Sequence, residues 1–302
     1  MPGGGLTMKA VESYTRAVNR IGESAKSALG GRLAALDWSD VASAREQAVS
    51  MVTEVLATAT DAAAQVSATF YDGVRESQVG SRLGAQALSG YDRAATDSAI
   101  RAFAQLAVDG RPEMIAPRVL ERVDYEVKRS AGESMYRNGR MDSMEPKFAR
   151  VPTGSETCPF CIMLASRGFV YDKQGANAHY HSGCDCRVVP SFIGRAARLA
   201  GYDPDRYYEQ FRQLEDEGKI NRQALERSAS RSRSSEWSAT GPDGQRFESF
   251  ADVQGYIYAA TDRADLERRY AALGNVYGMN SDRMRSSRLT AAFRHMQKRL
   301  DN

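Results

Sequence analysis

The chain has 302 residues, a formal charge of +3 and a pI near 8.6. That length can bury a substantial core and holds about two domains, while so mild a basic balance excludes a whole surface given over to nucleic acid, leaving only local patches for such a role. Residues 1–30 lack the layout of a signal peptide and no apolar run approaches the roughly 18 to 20 residues that span a bilayer, so a soluble intracellular chain with reduced thiols and no membrane anchor is expected.

After a Gly-rich start, Val11, Tyr14, Val18, Ile21 and Ala25 alternate at three- and four-residue steps, the seam of an amphipathic helix that Gly30 and Gly31 are expected to end. Ser39 is the expected N-cap of a longer helix carrying Val49, Val52, Leu56, Ala59, Ala63, Val66 and Phe70, with alanines that permit close helix approach. Gly80, Gly84 and Gly90 break the pattern before a third helix around Ile100, Phe103 and Leu106. Pro117 falls in the first turn of a fourth, with Leu120, Val123 and Val127, which stops near Asn138-Gly139. Residues 1–145 thus read as a domain of long antiparallel helices, either a self-contained bundle or a docking surface. Asp92 with Asp97, and Glu121 with Asp124 and Glu126, are carboxylate sets of the kind ordinary on solvated helix faces, and no catalytic residue is assigned.

The pattern changes at 146–192. Lys147 to Pro152 looks extended, Gly168 to Tyr171 reads as a second short strand and Arg187 to Pro190 as a third. Residues 193–302 are expected to return to helix, first around Arg195 to Leu199, then from Asp205 with Tyr208, Phe211 and Leu214 on one face. A Ser/Arg linker lies near 228–235. Beyond it, Phe247, Phe250, Val253, Tyr256 and Ile257 suggest another helix, and a last one sets Leu289, Phe293, Met296 and Leu300 in a stripe. Arg285, Arg288, Arg294, Lys298 and Arg299 occupy its remaining surface, a solvated face or a candidate contact for nucleic-acid phosphates. The fold class expected is mostly α, with a small zinc-stabilised β-rich module.

All four cysteines, and His179 and His181 of the three histidines, lie in the stretch that ends at Cys186. Cys158 and Cys161 on one turn, with His181 and Cys184 on another, supply two donor pairs at matching spacing for structural Zn2+. Cys186 competes with Cys184 for the fourth place, so four of these five residues are expected to hold the ion. A small β-rich unit has little core of its own, and structural zinc contributes on the order of 10–16 kcal/mol in small peptides. Two other chemistries fit the residue types. Cys158-Pro159-Phe160-Cys161 has the form of a redox dithiol, but that motif works at a helix start within a βαβ unit, and no βαβ pattern occurs. A zinc-supported nuclease with His179 as general base is the other, although thiolates filling the shell would leave no open position for water.

The order Thr157-Cys158-Pro159-Phe160-Cys161, Gly168-Phe169-Val170-Tyr171, then His181-Ser182-Gly183-Cys184-Asp185-Cys186-Arg187 ending at Pro190, resembles the signature of phage minor head proteins of the Mu F-like type, especially those of phages that infect actinobacteria. The resemblance covers roughly residues 150–192. It implies a non-enzymatic virion protein of head morphogenesis, inside the capsid near the portal after a period in the host cytoplasm. The implied partners are portal and other capsid proteins and packaged DNA, with a role in assembly or genome delivery. A DNA-binding module built on the C-terminal basic helix is the remaining alternative.

Overall fold

The computed structural model describes residues 6–154, 157–172, 185–193, 199–220, 239–240, 244, 246–247, 256 and 259–277. Its helices are α1 (Met8–Ala34), α2 (Val41–Val79), α3 (Arg93–Val108), α4 (Ile115–Met141), α5 (Pro159–Ala165), α6 (Pro204–Asp216) and α7 (Arg263–Tyr277). Two antiparallel pairs join β1 (Lys147–Pro152) to β2 (Cys186–Ser191) and β3 (Ala239–Thr240) to β4 (Arg246–Phe247). The chain is mostly α, with a small two-stranded sheet beside the cysteines.

The residues form two compact units. The first comprises Met1–Ala28, Glu54–Tyr91 and Glu121–Arg233; the second comprises Leu29–Thr53, Asp92–Leu120 and Ser234–Asn302.

In the first unit, Val11, Tyr14, Val18 and Ala25 of α1 are buried as the seam requires. On α2 the buried stripe follows Leu56, Ala59 and Ala63, then moves to Ala64, Ser67, Ala68, Tyr71 and Val74, leaving Val66 and Phe70 only half-buried. A repeat alternating three and four drifts around a 3.6-residue helix, so a straight helix nearly 40 residues long cannot keep one such seam inward. Tyr14 stacks on Phe70 with ring centroids 4.5 Å apart, and its hydroxyl meets Ser67 Oγ at 3.0 Å.

Small residues then let α4 approach the α2 backbone. Ser130 Oγ donates to the Thr60 carbonyl at 3.2 Å and Ser134 Oγ to the Ala64 carbonyl at 3.4 Å. Both contacts advance together along the two chains, so α2 and α4 run parallel here, which corrects the expectation of antiparallel helices throughout. The chain between α2 and α3 makes this possible by turning back along α2. Asp72 accepts from the Leu83 and Ala85 amides, Arg75 Nη1 donates to the Ser81 carbonyl, and Asn138 of α4 bonds both the amide and the carbonyl of Gln86.

Two carboxylates read as solvated are buried. Asp124 pairs with Lys128 at 2.6 Å, and Glu126, fully buried, takes Arg122 at 2.5 Å and Arg129 at 2.9 Å. The sequence pattern hid them because i±3 and i±4 ion pairs look the same on an inward as on an outward face. At the far end of α4, Asp142 accepts from Arg75 Nε at 2.8 Å and Tyr71 OH at 3.1 Å. Burial works to raise the Asp142 carboxyl, but the Met144 amide, Arg75 and Tyr71 together hold it below the ordinary carboxylate range.

In the second unit α1 continues through Gly30 and Gly31 to Ala34, because Leu29 and Leu33 are buried on either side and keep the last turns packed. The cap of α2 is Asp40 rather than Ser39: its carboxylate accepts from the Ser43 amide at 3.1 Å and its carbonyl from the Ala44 amide at 2.9 Å. Asp92 caps α3 through the Ala95 amide, and α3 buries Ile100 and Ala104 while Phe103 and Leu106 stay half-buried. The fourth helix carries Pro117 in its first turn and ends at Met141, close to Asn138-Gly139, as expected.

The C-terminal expectations fare unevenly. On α6 Phe211 is buried, but Tyr208 is 47% exposed, and it is Tyr207 that packs against the first unit's core. Phe247 lies in β4, paired with Ala239, not in a helix. α7 is a helix the sequence reading did not place. The expected helical residues 195–198, the 228–235 linker and the whole of 281–302 lie outside the described residues, except that Leu199 forms a bridge with Tyr202.

Candidate metal centre

The site is built where β1 and β2 come together in the first unit. Their register runs from Lys147 opposite Ser191 to Pro152 opposite Cys186, so the chain from 153 to 185 leaves and re-enters the sheet at one point. Every residue of β2 is buried, and β1 is buried from Phe148 onward. One face of the pair adds Ala149, Val151 and Val189 to a core that includes Leu6, Val11, Val74, Phe169 and Tyr202. Arg187 extends from β2 to Asn19 Oδ1 on α1, and the Phe192 amide donates to Gln78 Oε1 on α2 at 2.8 Å.

The first cysteine pair opens a helix instead of lying in irregular chain. Cys158 is the N-cap of α5, with its Sγ accepting from the Cys161 amide at 3.3 Å, and Pro159 takes the first helical position, where no backbone N–H is needed. Aromatic hydroxyls hold the C-terminal end of this short helix. Tyr171 OH donates to the Leu164 carbonyl at 3.0 Å and Tyr202 OH to the Ala165 carbonyl at 2.6 Å. The stretch expected as a second strand touches β1 only through one Phe148–Tyr171 bridge, because Gly168, at φ +66°, turns the chain out of α5 and leaves room for a single pairing. Burial pushes the Tyr171 phenol up to about 12, against the nearby Arg167 and Arg150 charges.

Cys161 and Cys186 are both fully buried and their sulfurs meet at 2.8 Å. Asp185 completes a group with them whose ligand atoms all lie within 4.8 Å of one another, an arrangement that could hold a metal ion. Its carboxylate has another task. Asp185 Oδ2 accepts from the Gly154 amide at 3.2 Å and Thr157 Oγ1 at 2.9 Å, and its carbonyl accepts from Thr153 Oγ1 at 2.7 Å. These bonds tie the run that leads into Cys158 to the run that leads into Cys186. A side chain at Gly154 would collide with Asp185, since its Cβ would stand 2.8 Å from the Asp185 Cβ. The other unforeseen residue is Arg150, fully buried on β1, whose Nε and Nη2 donate to Cys186 Sγ at 3.2 and 2.8 Å.

Of the residues singled out in the sequence, the structure gathers Cys158, Cys161 and Cys186 about α5 and the start of β2. His181, Cys184 and His179 lie outside the described residues, as do Arg285, Arg288, Arg294, Lys298 and Arg299. The soft donor set fits a metal by chemistry: two buried thiols in contact, a third one helical turn away, and a buried cation beside one of them. The redox reading does not gain by the helix start, because β1 and β2 are antiparallel and the described residues contain no βαβ unit around it. An arginine between apolar residues in Phe148-Ala149-Arg150-Val151, and an aspartate between two cysteines, were the signals available for Arg150 and Asp185.

A family model described as VG15 protein matches residues 6–214. This chain belongs to the VG15 family. It is a phage protein, and the matched span runs from the start of α1 into α6, enclosing the cysteine centre and all four long helices. Comparison with curated proteins and with solved structures finds no match.

Proposed function

We propose that this VG15-family chain is a non-enzymatic minor capsid or head-morphogenesis protein that carries one structural zinc ion and works beside the portal and packaged DNA inside the phage head. The observation that carries the reading is the burial of the cysteine centre. The constellation with the greatest chemical potential has two thiols and its arginine at 0% exposure, at the base of a sheet packed on α1 and α2. A site so enclosed supports a staple rather than a place where substrate arrives. Zinc is the ion of choice for Cys158, Cys161 and Cys186 with His181, because it accepts thiolates and imidazole in a closed tetrahedral shell.

Long helices with accessible apolar surface support an assembly role. An open groove of about 560 Å³ runs between α1 and α2, lined by Ala17, Ile21, Ala25, Val55, Ala59 and Val66 among others. No helix among the described residues is long and apolar enough to cross a membrane. The experiment is co-purification with portal rings and mature virions, run beside a DNA-cleavage assay of the wild type and His179→Ala with divalent metal. Association with heads and no cleavage is expected; His179-dependent cleavage would overturn the proposal in favour of a nuclease.

A further inference from the structure

We infer that Arg150 is the charge-compensating residue of the metal centre, donating two N–H···S hydrogen bonds to the Cys186 thiolate and thereby setting how tightly the ion is held. The inference rests on reading the cluster as a zinc site.

Strand register brings the two groups together. Arg150 faces Val188 and Pro152 faces Cys186, so Arg150 and Cys186 stand on one face of the sheet as diagonal neighbours. The guanidinium cannot shed its charge, and at 0% exposure it directs both Nε and Nη2 to Cys186 Sγ. A neutral thiol is a poor acceptor; a metal-bound thiolate is both anionic and accepting. The need is mutual. A divalent ion held by the thiolates of Cys158, Cys161 and Cys186 leaves a net charge of about −1 in a dry interior that penalises it. Arg150 returns one positive charge at Cys186, one of the two fully buried sulfurs.

Two donors from one planar group, Nε and Nη2, converge on a single sulfur. A lysine could return the charge but not this paired approach. Hydrogen bonds of this kind draw electron density from the sulfur, which protects the metal–sulfur bond from protonation and from electrophiles and raises the energy of sulfur-to-metal charge transfer.

Three full-length proteins test it: wild type, Arg150→Met and Arg150→Lys. Zinc content is measured by elemental analysis, affinity by competition with a chromogenic chelator, and the sulfur environment by the charge-transfer band of cobalt-substituted protein. Wild type is expected to hold one zinc per chain. Arg150→Met should bind it about 10- to 100-fold more weakly, the range for loss of a ligand's supporting partner, with the cobalt band moved to longer wavelength and Arg150→Lys between the two. Wild-type affinity and an unmoved band in metal-loaded Arg150→Met would overturn the inference while leaving the zinc site intact. If Arg150→Met does not fold, Arg150→Lys decides on the same band, a shift supporting the inference and no shift overturning it. A wild type without stoichiometric metal would overturn the zinc reading itself, and the inference with it.

Discussion

Gly139 on α4 lies against the edge of the Phe148 ring, so that a Cβ at position 139 would stand 2.5 Å from Phe148 Cζ and 3.3 Å from Pro146 Cγ. Phe148 is fully buried and packs on Tyr136 with centroids 4.6 Å apart, which leaves the ring little room to move away. Gly139→Ala should therefore destabilise the protein by about 1–3 kcal/mol through overpacking, although alanine is the better helix former by about 1 kcal/mol. Urea unfolding midpoints check this, and an unchanged or raised midpoint would show that the contact is slack.

The Asp142–Arg75 pair makes a prediction with a sign. Because the folded-state carboxyl of Asp142 sits below its ordinary value, its contribution is fully present above about pH 4 and is lost as pH falls through the folded value. Asp142→Asn should cost about 3–5 kcal/mol at neutral pH, since Arg75 would remain buried without its counter-charge. The wild type should lose part of that advantage on acidification and the variant should not. Thermal melts of both proteins from pH 7 to pH 3 give the comparison; parallel curves would count against the pair.

At the cysteine centre, Cys186→Ser should destabilise more than Cys158→Ser, because Cys186 is fully buried, touches Cys161 and receives Arg150, whereas Cys158 is half-buried at a helix cap. Removing metal with a strong chelator should raise amide exchange in β1 and β2 before it affects α2. Hydrogen exchange resolved by peptide reads both effects. Exchange that is unchanged by chelator would deny the metal a structural role.

Asp185 should prove to be a brace. Asp185→Ala removes two hydrogen bonds to the run before Cys158, and at about 1 kcal/mol for each bond the loss should be about 1–2 kcal/mol, with Asp185→Asn costing less because one oxygen remains to accept. Zinc content should persist in both variants. Its disappearance in Asp185→Asn would instead make the carboxylate a ligand.

The four long helices could be read from the sequence because each buries a periodic apolar stripe over many turns, a signal that local propensity and tertiary packing both reinforce. Their directions could not. The parallel run of α2 and α4 depends on side chains of Asp72, Arg75 and Asn138 catching a Gly-rich connection, and such long-range hydrogen bonds leave no periodic trace. Gly30 and Gly31 misled for a related reason, as glycine weakens a helix without ending it when Leu29 and Leu33 are already packed. The cysteines advertised themselves by type and spacing. Arg150 did not, because a buried charge has the same letter as an exposed one until the strand register is known.

The pairing of Pro152 with Cys186 has a kinetic consequence. Neighbours within α1, α2 and α4 meet through contacts a few residues apart, but β1 and β2 must close a loop of some thirty residues, an entropy loss on the order of 3–4 kcal/mol before any strand contact repays it. Single helical turns should thus form before the strands pair, whereas the packing of α4 on α2, which joins residues 70 apart, closes a longer loop than the sheet does. Under the proposed zinc reading, Cys158, Cys161 and Cys186 come together for the ion only once this pairing has closed, so metal uptake would report on sheet formation and not on helix formation.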